Sequence, residues 1–447
     1  MSLKILIIGS GGREHAMAWI ISKSKREINK IYVMPGNAGT LHEKNVFNID
    51  CDINDHEAVL KFAMENNIDL TIVGPEVPLV NGLSDLFEAS NLNIFGPKKY
   101  FAQLEGSKAF SKKFMQDNSL PTSDYDEFND HENASKYLAT KKMPIVIKYD
   151  GLAAGKGVDV CDSLTQADLS IKNLLKPGES IIIEDFIKGI ELSSIYICNP
   201  NASKKSIGLP WIKDYKSRDE YNMGPNTGGM GAITHPFCSY KKNDVYSLNT
   251  EIEKILIKSI VAINNSSGDA SNYNGFLYLG LMISADDNKP YLLEYNCRLG
   301  DPETQNLMMY LDNNNVDFLD LIGFDNSKYP DNFNLTFIDQ NKYEGFCCTV
   351  VLAADGYPSN PQKDFYLDLS EIDEIENLKI FHAGTKISNG SIKVTGGRIL
   401  SVNTCCEKKQ DAIDLAYENI RKIKAFTDSN LENEEKSLIF FRTDIGS

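Results

Sequence analysis

A surplus of basic residues is the first thing this 447-residue chain lacks. Lys and Arg number 46 against 62 Asp and Glu, a formal net charge of −16. That balance argues against non-specific nucleic-acid or anionic-membrane binding, which needs a basic surface, but leaves room for a local basic cluster around a small phosphorylated ligand. Long apolar runs are missing too: nothing approaches the roughly 18 residues of a membrane-spanning helix. At the N-terminus the apolar stretch Ile5 to Ile8 is too short for a signal-peptide core and runs straight into glycine and charge. The nine cysteines include the adjacent pairs Cys347–Cys348 and Cys405–Cys406 but no C-x-x-C, and the six histidines form no H-x-H or H-x-x-x-H pair. Metal and redox motifs are therefore not written in the spacing, these residues read as structural or incidental, and the chain reads as cytoplasmic. What is present is ordinary for a globular protein, 42% hydrophobic and 24% charged residues, in a length that suits two to four domains.

Four apolar runs, at residues 4–8, 30–34, 68–73 and 92–95, each lead into glycine or Pro-Gly turns: Gly9-Ser10-Gly11-Gly12, Pro35-Gly36-Asn37-Ala38-Gly39, Gly74-Pro75-Glu76 and Gly96-Pro97. Strand, glycine-rich turn, helix, repeated within about a hundred residues, predicts a parallel sheet flanked by helices with a ligand site at the carboxyl ends of its strands. From about Ser107 the pattern changes to a helix at 108–118 and strands at 143–148, 158–161, 181–184, 192–198, 276–284 and 290–296. Short connections predict antiparallel sheets. A polar stretch, Asp325–Asn334, marks the next boundary, and the last part has strands at 346–353 and 391–402 with a helix near 410–424. The division is 1–103, 104–328 and 329–447: a parallel α/β domain, a central domain of α+β character, and a C-terminal mixed α+β domain.

Gly9-Ser10-Gly11-Gly12-Arg13-Glu14 has the G-x-G of a dinucleotide loop, but Glu14 stands where the third glycine belongs and Pro35-Gly36 follows the second strand in place of an acid. A nicotinamide cofactor is argued against. The backbone N–H groups at the helix start and the Arg13 guanidinium still suit a phosphate. Gly151-Leu152-Ala153-Ala154-Gly155-Lys156-Gly157 is one residue short of a P-loop and has glycine in place of its hydroxyl residue. Joining two strands, it reads as a hairpin loop that folds over phosphates, with Lys148 at the end of the strand before it. Gly224-Pro225-Asn226-Thr227-Gly228-Gly229-Met230-Gly231 has four glycines in eight positions, a composition that serves a close backbone approach. Asp214 and Lys216 lie just upstream. In Pro290–Asn296 the alternation places Leu292, Glu294 and Asn296 on one face and Tyr291, Leu293 and Tyr295 on the other. A carboxylate and an amide oxygen so placed suit a hard cation such as Mg²⁺, and Arg298 with the acidic turn Gly300-Asp301-Pro302-Glu303 follows at once.

These segments, in this order, resemble the phosphoribosylamine–glycine ligases (glycinamide ribonucleotide synthetases), purine-biosynthesis enzymes of the ATP-grasp superfamily. GSGGREHA (9–16), PGNAGT (35–40), GPEVPL (74–79), SKAFSKKFM (107–115), DGLAAGKGV (150–158), GPNTGGMGA (224–232), LEYNCRLGDPETQ (293–305), FHAGTK (381–386) and TGGRIL (395–400) carry the resemblance from end to end. It implies a pre-ATP-grasp α/β domain, a central ATP-grasp fold and ATP-dependent carbon–nitrogen ligation: glycine is activated as glycyl phosphate, and the amine of 5-phosphoribosylamine displaces phosphate. The implied nucleotide contacts are Lys108, Lys148, Gly155, Lys156 and Gly157 for the phosphates, Glu184, Asp185 and Ile187 for adenine, and Glu191 for the ribose. Glu294 and Asn296 would hold Mg²⁺ or Mn²⁺. Substrates would meet Gly11, Gly12, Arg13, Glu14, Asn37, Gly39 and Glu76 in the first domain, and Asp214, Lys216, Gly228, Gly229, Met230, Arg298, Asp301 and Glu303 beyond it. Lys148, Arg298 and Asp214 would be catalytic, in a monomer whose partners are small molecules only. Tyr149, Tyr215 and Leu299 depart from the usual alanine, histidine and phenylalanine of the family. Two alternatives stay open, another ATP-grasp ligase or carboxylase and a nucleotide-binding protein without catalysis.

Overall fold

A computed structural model describes residues 2–153, 157–200, 206–234, 242–267, 272–324, 345–372, 375–427 and 437–447. Its first sheet is parallel, built from β1 (Leu3–Gly9), β2 (Ile28–Pro35), β3 (Val46–Asn48), β4 (Leu70–Val73) and β5 (Ile94–Phe95) in the order β3-β2-β1-β4-β5. The sequence pattern foretells four of these; β3, only three residues at the sheet edge, is too short to show a period. Strand order reverses between β1 and β4, where a crevice for a ligand is expected. The chain fills that crevice itself. Glu14, 1% exposed, accepts the Gly11 N–H at 2.5 Å and pairs with Arg13 Nε at 2.5 Å, and a Cβ at Gly74 would lie 1.9 Å from its carboxylate. The anion at the start of the helix Gly12–Ser22 is thus the protein's own side chain, a capping arrangement rather than an open phosphate site.

A second, antiparallel sheet has β6 (Tyr125–Phe128), β7 (Ile145–Tyr149), β8 (Val158–Cys161) and β9 (Ile181–Asp185) in the order β6-β9-β7-β8. β7 and β8 pair as a hairpin, closed where the connecting loop begins and ends by Tyr149 N–H on Gly157 O (2.8 Å). Tyr149 lies against that loop, because a Cβ on Gly151 or Gly157 would come within 2.9 or 3.2 Å of it. The largest sheet takes β10 (Gly189–Cys198), β11 (Ser206–Gly208), β12 (Ile212–Asp214), β13 (Gly231–Thr234), β14 (Gly275–Ser284), β15 (Pro290–Asn296) and β16 (Phe346–Ala354), and continues through Arg398–Cys406 to Leu378–His382. Residues on both sides of Asp325–Asn334, a stretch outside the described residues, therefore share one sheet. The single strand expected at 391–402 is two, Ser391–Val394 and Arg398–Cys406, broken at Gly396-Gly397 and assigned to different sheets. Cys347 and Cys405, each from an adjacent cysteine pair, face each other in register and are disulfide-bonded. Among the described residues no helix is long and apolar enough to cross a membrane.

The loop Gly36–Thr40 docks on the last part of the chain. Asn37 Nδ2 donates to His382 O (2.7 Å), Asn37 Oδ1 accepts the Gly39 N–H (2.9 Å), and a Cβ on Gly39 would strike His15 and His382. The backbone N–H of His382 in turn donates to His15 Nδ1 at 2.8 Å. Burial, reinforced by the nearby His15, His42 and Lys379 against the single carboxylate of Glu43, pushes the His382 imidazole down to about 3. The folded chain then leaves this ring neutral where the unfolded chain, near 6.5, protonates it, so stability is lost as pH falls from about 6.5 toward 3. His382→Asn is expected to flatten that limb: between pH 7 and pH 5, urea titrations should show wild type losing on the order of 2 kcal/mol more than the variant. Parallel curves would remove the assignment.

Candidate active site

A cleft of about 1470 Å³ opens between the second sheet and β10–β15. Its floor begins at the helix Lys108–Asp117. Ser107 caps this helix by accepting the Phe110 N–H, and Asp150, at the start of the hairpin loop, accepts from Ala109 N–H and Ser107 Oγ. The helix start is thereby tied to the loop, and Lys108 Nζ donates to Gly151 O at 2.8 Å. One helical turn on, Lys112 shares its face. Lys112 and Lys148 both form ion pairs with Glu184 of β9, and all three side chains are buried. Burial works to raise the Glu184 carboxyl, yet the two ammonium groups hold it below its ordinary value. Burial also lowers Lys112, to about 8. With Ser123 Oγ donating as well (3.0 Å), the Glu184 carboxylate is fully engaged. Beside it the run Asp185-Phe186-Ile187, at the end of β9 and just after it, also lines the cleft.

The opposite wall is β15, and its phase differs from simple alternation. Gly280 pairs with Glu294 and Leu281 with Leu292, which leaves Leu293 as an extra residue, a β-bulge. Leu292 therefore packs in the core with Tyr295, while Leu293 joins Glu294 and Asn296 along the cleft. The shared face read for Glu294 and Asn296 holds; the places of Leu292 and Leu293 are exchanged. The β14 residue opposite is a glycine, because a Cβ there would press on Glu294 Cγ at 2.9 Å. Burial would raise Glu294, but the charges of Lys216, Lys148, Lys108 and Arg298 bring it down to about 2. Lys216 Nζ lies 3.5 Å from Glu294 and pairs more closely with Glu191. Asp214 behaves oppositely: burial and the neighbouring Glu303 raise it well above the carboxylate range, and its Oδ1 is buried with no hydrogen-bond partner. Glu303 accepts from Ser193 Oγ at 3.1 Å.

The far end of the cleft is made by loops. Arg298 pairs with Glu76 (3.4 Å) and Glu105 (2.8 Å). Arg398, from the C-terminal part, donates to Gly228 O (2.5 Å) and Asp301 O (2.6 Å) and so pins the glycine run to the Gly300–Glu303 turn. Asn226 Nδ2 reaches Val158 O (3.1 Å) at the base of the hairpin loop. Gly157, Lys108, Lys148, Glu191, Asp214, Lys216, Gly228, Glu294, Asn296, Arg298, Asp301 and Glu303 thus surround one space, with Arg13 and Glu76 at its edge. Gly11, Gly12, Glu14, Asn37 and Gly39 are not part of that lining, nor are Gly229 and the fully buried Met230. Gly155 and Lys156 lie outside the described residues. Tyr215 faces away, in the core with its hydroxyl on the Gly446 N–H (2.9 Å), so this departure does not touch the cleft. Lys112, Glu105 and Arg398 escaped the sequence reading; only Lys112 carried a usable signal, its four-residue spacing from Lys108.

Glu294 and Asn296 offer two oxygen donors to a cation, and among the described residues no group of three or more His, Cys, Asp or Glu could hold one unaided. Such a set suits a hard ion that keeps water and takes phosphate oxygens, as Mg²⁺ does. Family models cover the same ground: Phosphoribosylglycinamide synthetase, N domain, matches residues 3–105; the ATP-grasp (A) domain matches 106–304; the C domain matches 347–447. The chain belongs to the phosphoribosylglycinamide synthetase family. A phosphoribosylamine–glycine ligase of Clostridium acetobutylicum is 40% identical over 99% of both chains, and one of Fusobacterium nucleatum is 37% identical over 100% of this chain and 98% of its own. The crystal structure of the Thermotoga maritima phosphoribosylamine–glycine ligase superimposes with a TM-score of 0.78 at 30% identity, covering 99% of this chain and all of the other. The biotin carboxylase domain of Hydrogenobacter thermophilus 2-oxoglutarate carboxylase, solved with MgADP, has a TM-score of 0.70 over 99% of this chain and 92% of its own at 14% identity, a likeness of fold alone. Family membership makes the cleft that of an ATP-grasp protein.

Proposed function

We propose that the chain ligates glycine to 5-phosphoribosylamine at the expense of ATP, giving glycinamide ribonucleotide, ADP and phosphate in purine biosynthesis. The observation that carries this reading is the meeting, within a chain of this family, of Lys108, Lys148 and Arg298 with Glu294 and Asn296 around one cleft. Adenine lies against the backbone of Asp185–Ile187, and Glu191 holds the ribose. Lys108 and Lys148 neutralise the triphosphate beneath the hairpin loop. Glu294 and Asn296 would hold Mg²⁺, or Mn²⁺ in its stead, and a bound divalent ion there supplies further positive charge to the phosphates.

The glycine carboxylate oxygen attacks the γ-phosphorus as the bond to ADP breaks, forming glycyl phosphate. Two anions must meet for this, so Arg298 and Lys148 lower the repulsion while fixing the line of approach. The amine nitrogen of phosphoribosylamine then attacks the acyl carbon, phosphate leaves, and Asp214 takes the proton released from nitrogen. Burial and Glu303 raise that carboxyl above its ordinary value, the direction that strengthens it as a proton acceptor. The sugar phosphate would rest toward Gly228, Asp301 and the first-domain edge at Arg13 and Glu76. The test is a substrate comparison: ADP release should require glycine and phosphoribosylamine together and ignore bicarbonate. Release that follows bicarbonate would replace this reading by a carboxylase, and no release with either by a binding protein.

A further inference from the structure

Glu105 is buried at the end of the helix Lys99–Gly106, and it belongs to no strand of the cleft. Its carboxylate nevertheless holds three consecutive residues at the end of β15. Oε2 accepts the Cys297 N–H at 2.7 Å, and Oε1 pairs with Arg298 Nη2 at 2.8 Å. The hydrogen-bond network assigns the Asn296 amide with its nitrogen on the same Oε1 (3.0 Å) and on Tyr295 O (3.3 Å). The two ends of an asparagine amide have almost the same shape, so only their partners decide which end faces where. Both Glu105 oxygens already face N–H donors, Cys297 on Oε2 and Arg298 on Oε1, so the amide presents its NH₂ to this side and its carbonyl oxygen to the other. Without that carboxylate the amide is free to turn its NH₂ to the cleft, and an NH₂ group cannot ligate a cation.

We propose that Glu105 is a positioning residue that fixes the Asn296 oxygen as a cation ligand and holds Arg298 in line beside it. The inference rests on the reading of Glu294 and Asn296 as the cation site. Glu105 also borders the cleft, but its oxygens are engaged by Cys297, Arg298 and Asn296, so it acts through the orientation of one amide and one guanidinium. Partners of this kind around metal ligands change affinity by about 10–100-fold when removed.

The experiment is a titration of Mn²⁺ followed by electron paramagnetic resonance, with the full-length chain and ADP present, on wild type, Glu105→Met, Asn296→Ala and the double variant. Thermal melts run alongside, and Glu105→Ala replaces the methionine variant, with the same expectation, where the latter does not fold. Asn296→Ala should weaken Mn²⁺. Glu105→Met should weaken it about 10–100-fold in the wild-type background and by less than about threefold once Asn296 is already gone, because a residue acting through Asn296 has nothing left to act on. A purely structural role would give the same loss in both backgrounds, which overturns the proposal. So does wild-type affinity in Glu105→Met while Asn296→Ala is weak, and that result leaves the cation site standing. Wild-type affinity in Asn296→Ala instead removes the cation site and the inference with it.

Discussion

Glu294→Ala is expected to lower turnover by about 10³-fold in a variant that still folds, with at most a modest drop in melting temperature. The carboxylate sits among Lys216, Lys148, Lys108 and Arg298, whose charges hold it down to about 2, so it is ionised throughout the working range. An anion surrounded in this way does not act as an acid or base near neutrality. Its use is to place negative charge and oxygen donors where a cation and a triphosphate meet. Removing it leaves the four basic groups facing one another and the phosphates, with the cation bound by Asn296 alone. The fold has little to lose, because Lys216 keeps its ion pair with Glu191 and Lys148 keeps its pair with Glu184. Glycine-dependent ADP release in the presence of Mg²⁺ measures the effect. More than a tenth of wild-type activity in a folded variant would take the cation role away from Glu294. Glu294→Gln should resemble the alanine variant, since an amide keeps an oxygen but not the charge.

How much of this was legible beforehand depends on how local each feature is. The parallel sheet and the β7–β8 hairpin are visible because apolar strands and glycine turns alternate within a few residues. Val158–Cys161 and Pro290–Asn296 come out with the bounds expected. The bulge at Leu293 does not, because it is a property of the pairing with β14 and not of the strand. Yet it decides that Leu293, and not Leu292, borders Glu294 and Asn296. The glycine loop at residues 9–12 reads as a phosphate site, and in the fold the group that meets its Gly11 N–H is the Glu14 carboxylate. Sequence shows that a carboxylate is near; only the fold shows that Gly9 and Gly74 clear the space it occupies. Arg398 and Glu105 reach the site from 97 and 192 residues away in sequence, through Asp301 O and Cys297 N respectively. No period or spacing encodes contacts of that range.

Glu184 is the residue for which position and environment point in different directions, and its substitution has the second large effect. By order along the chain it falls where an adenine contact is implied, yet its carboxylate is buried between Lys112 and Lys148. Glu184→Leu should therefore act first on stability: two ammonium groups would be left buried without their anion, at a cost of about 3–5 kcal/mol. Lys148→Met should show the reverse, since Glu184 keeps Lys112 and Ser123 as partners. In that variant the unfolding midpoint should move little and ADP release should fall about 10²-fold or more, as expected when a phosphate-facing charge is lost. Urea midpoints and steady-state rates on the two variants separate the cases. If Glu184→Leu kept its midpoint and lost only affinity for ATP, the carboxylate would be a nucleotide contact, and the buried triad would not be what holds β9 to the helix Lys108–Asp117.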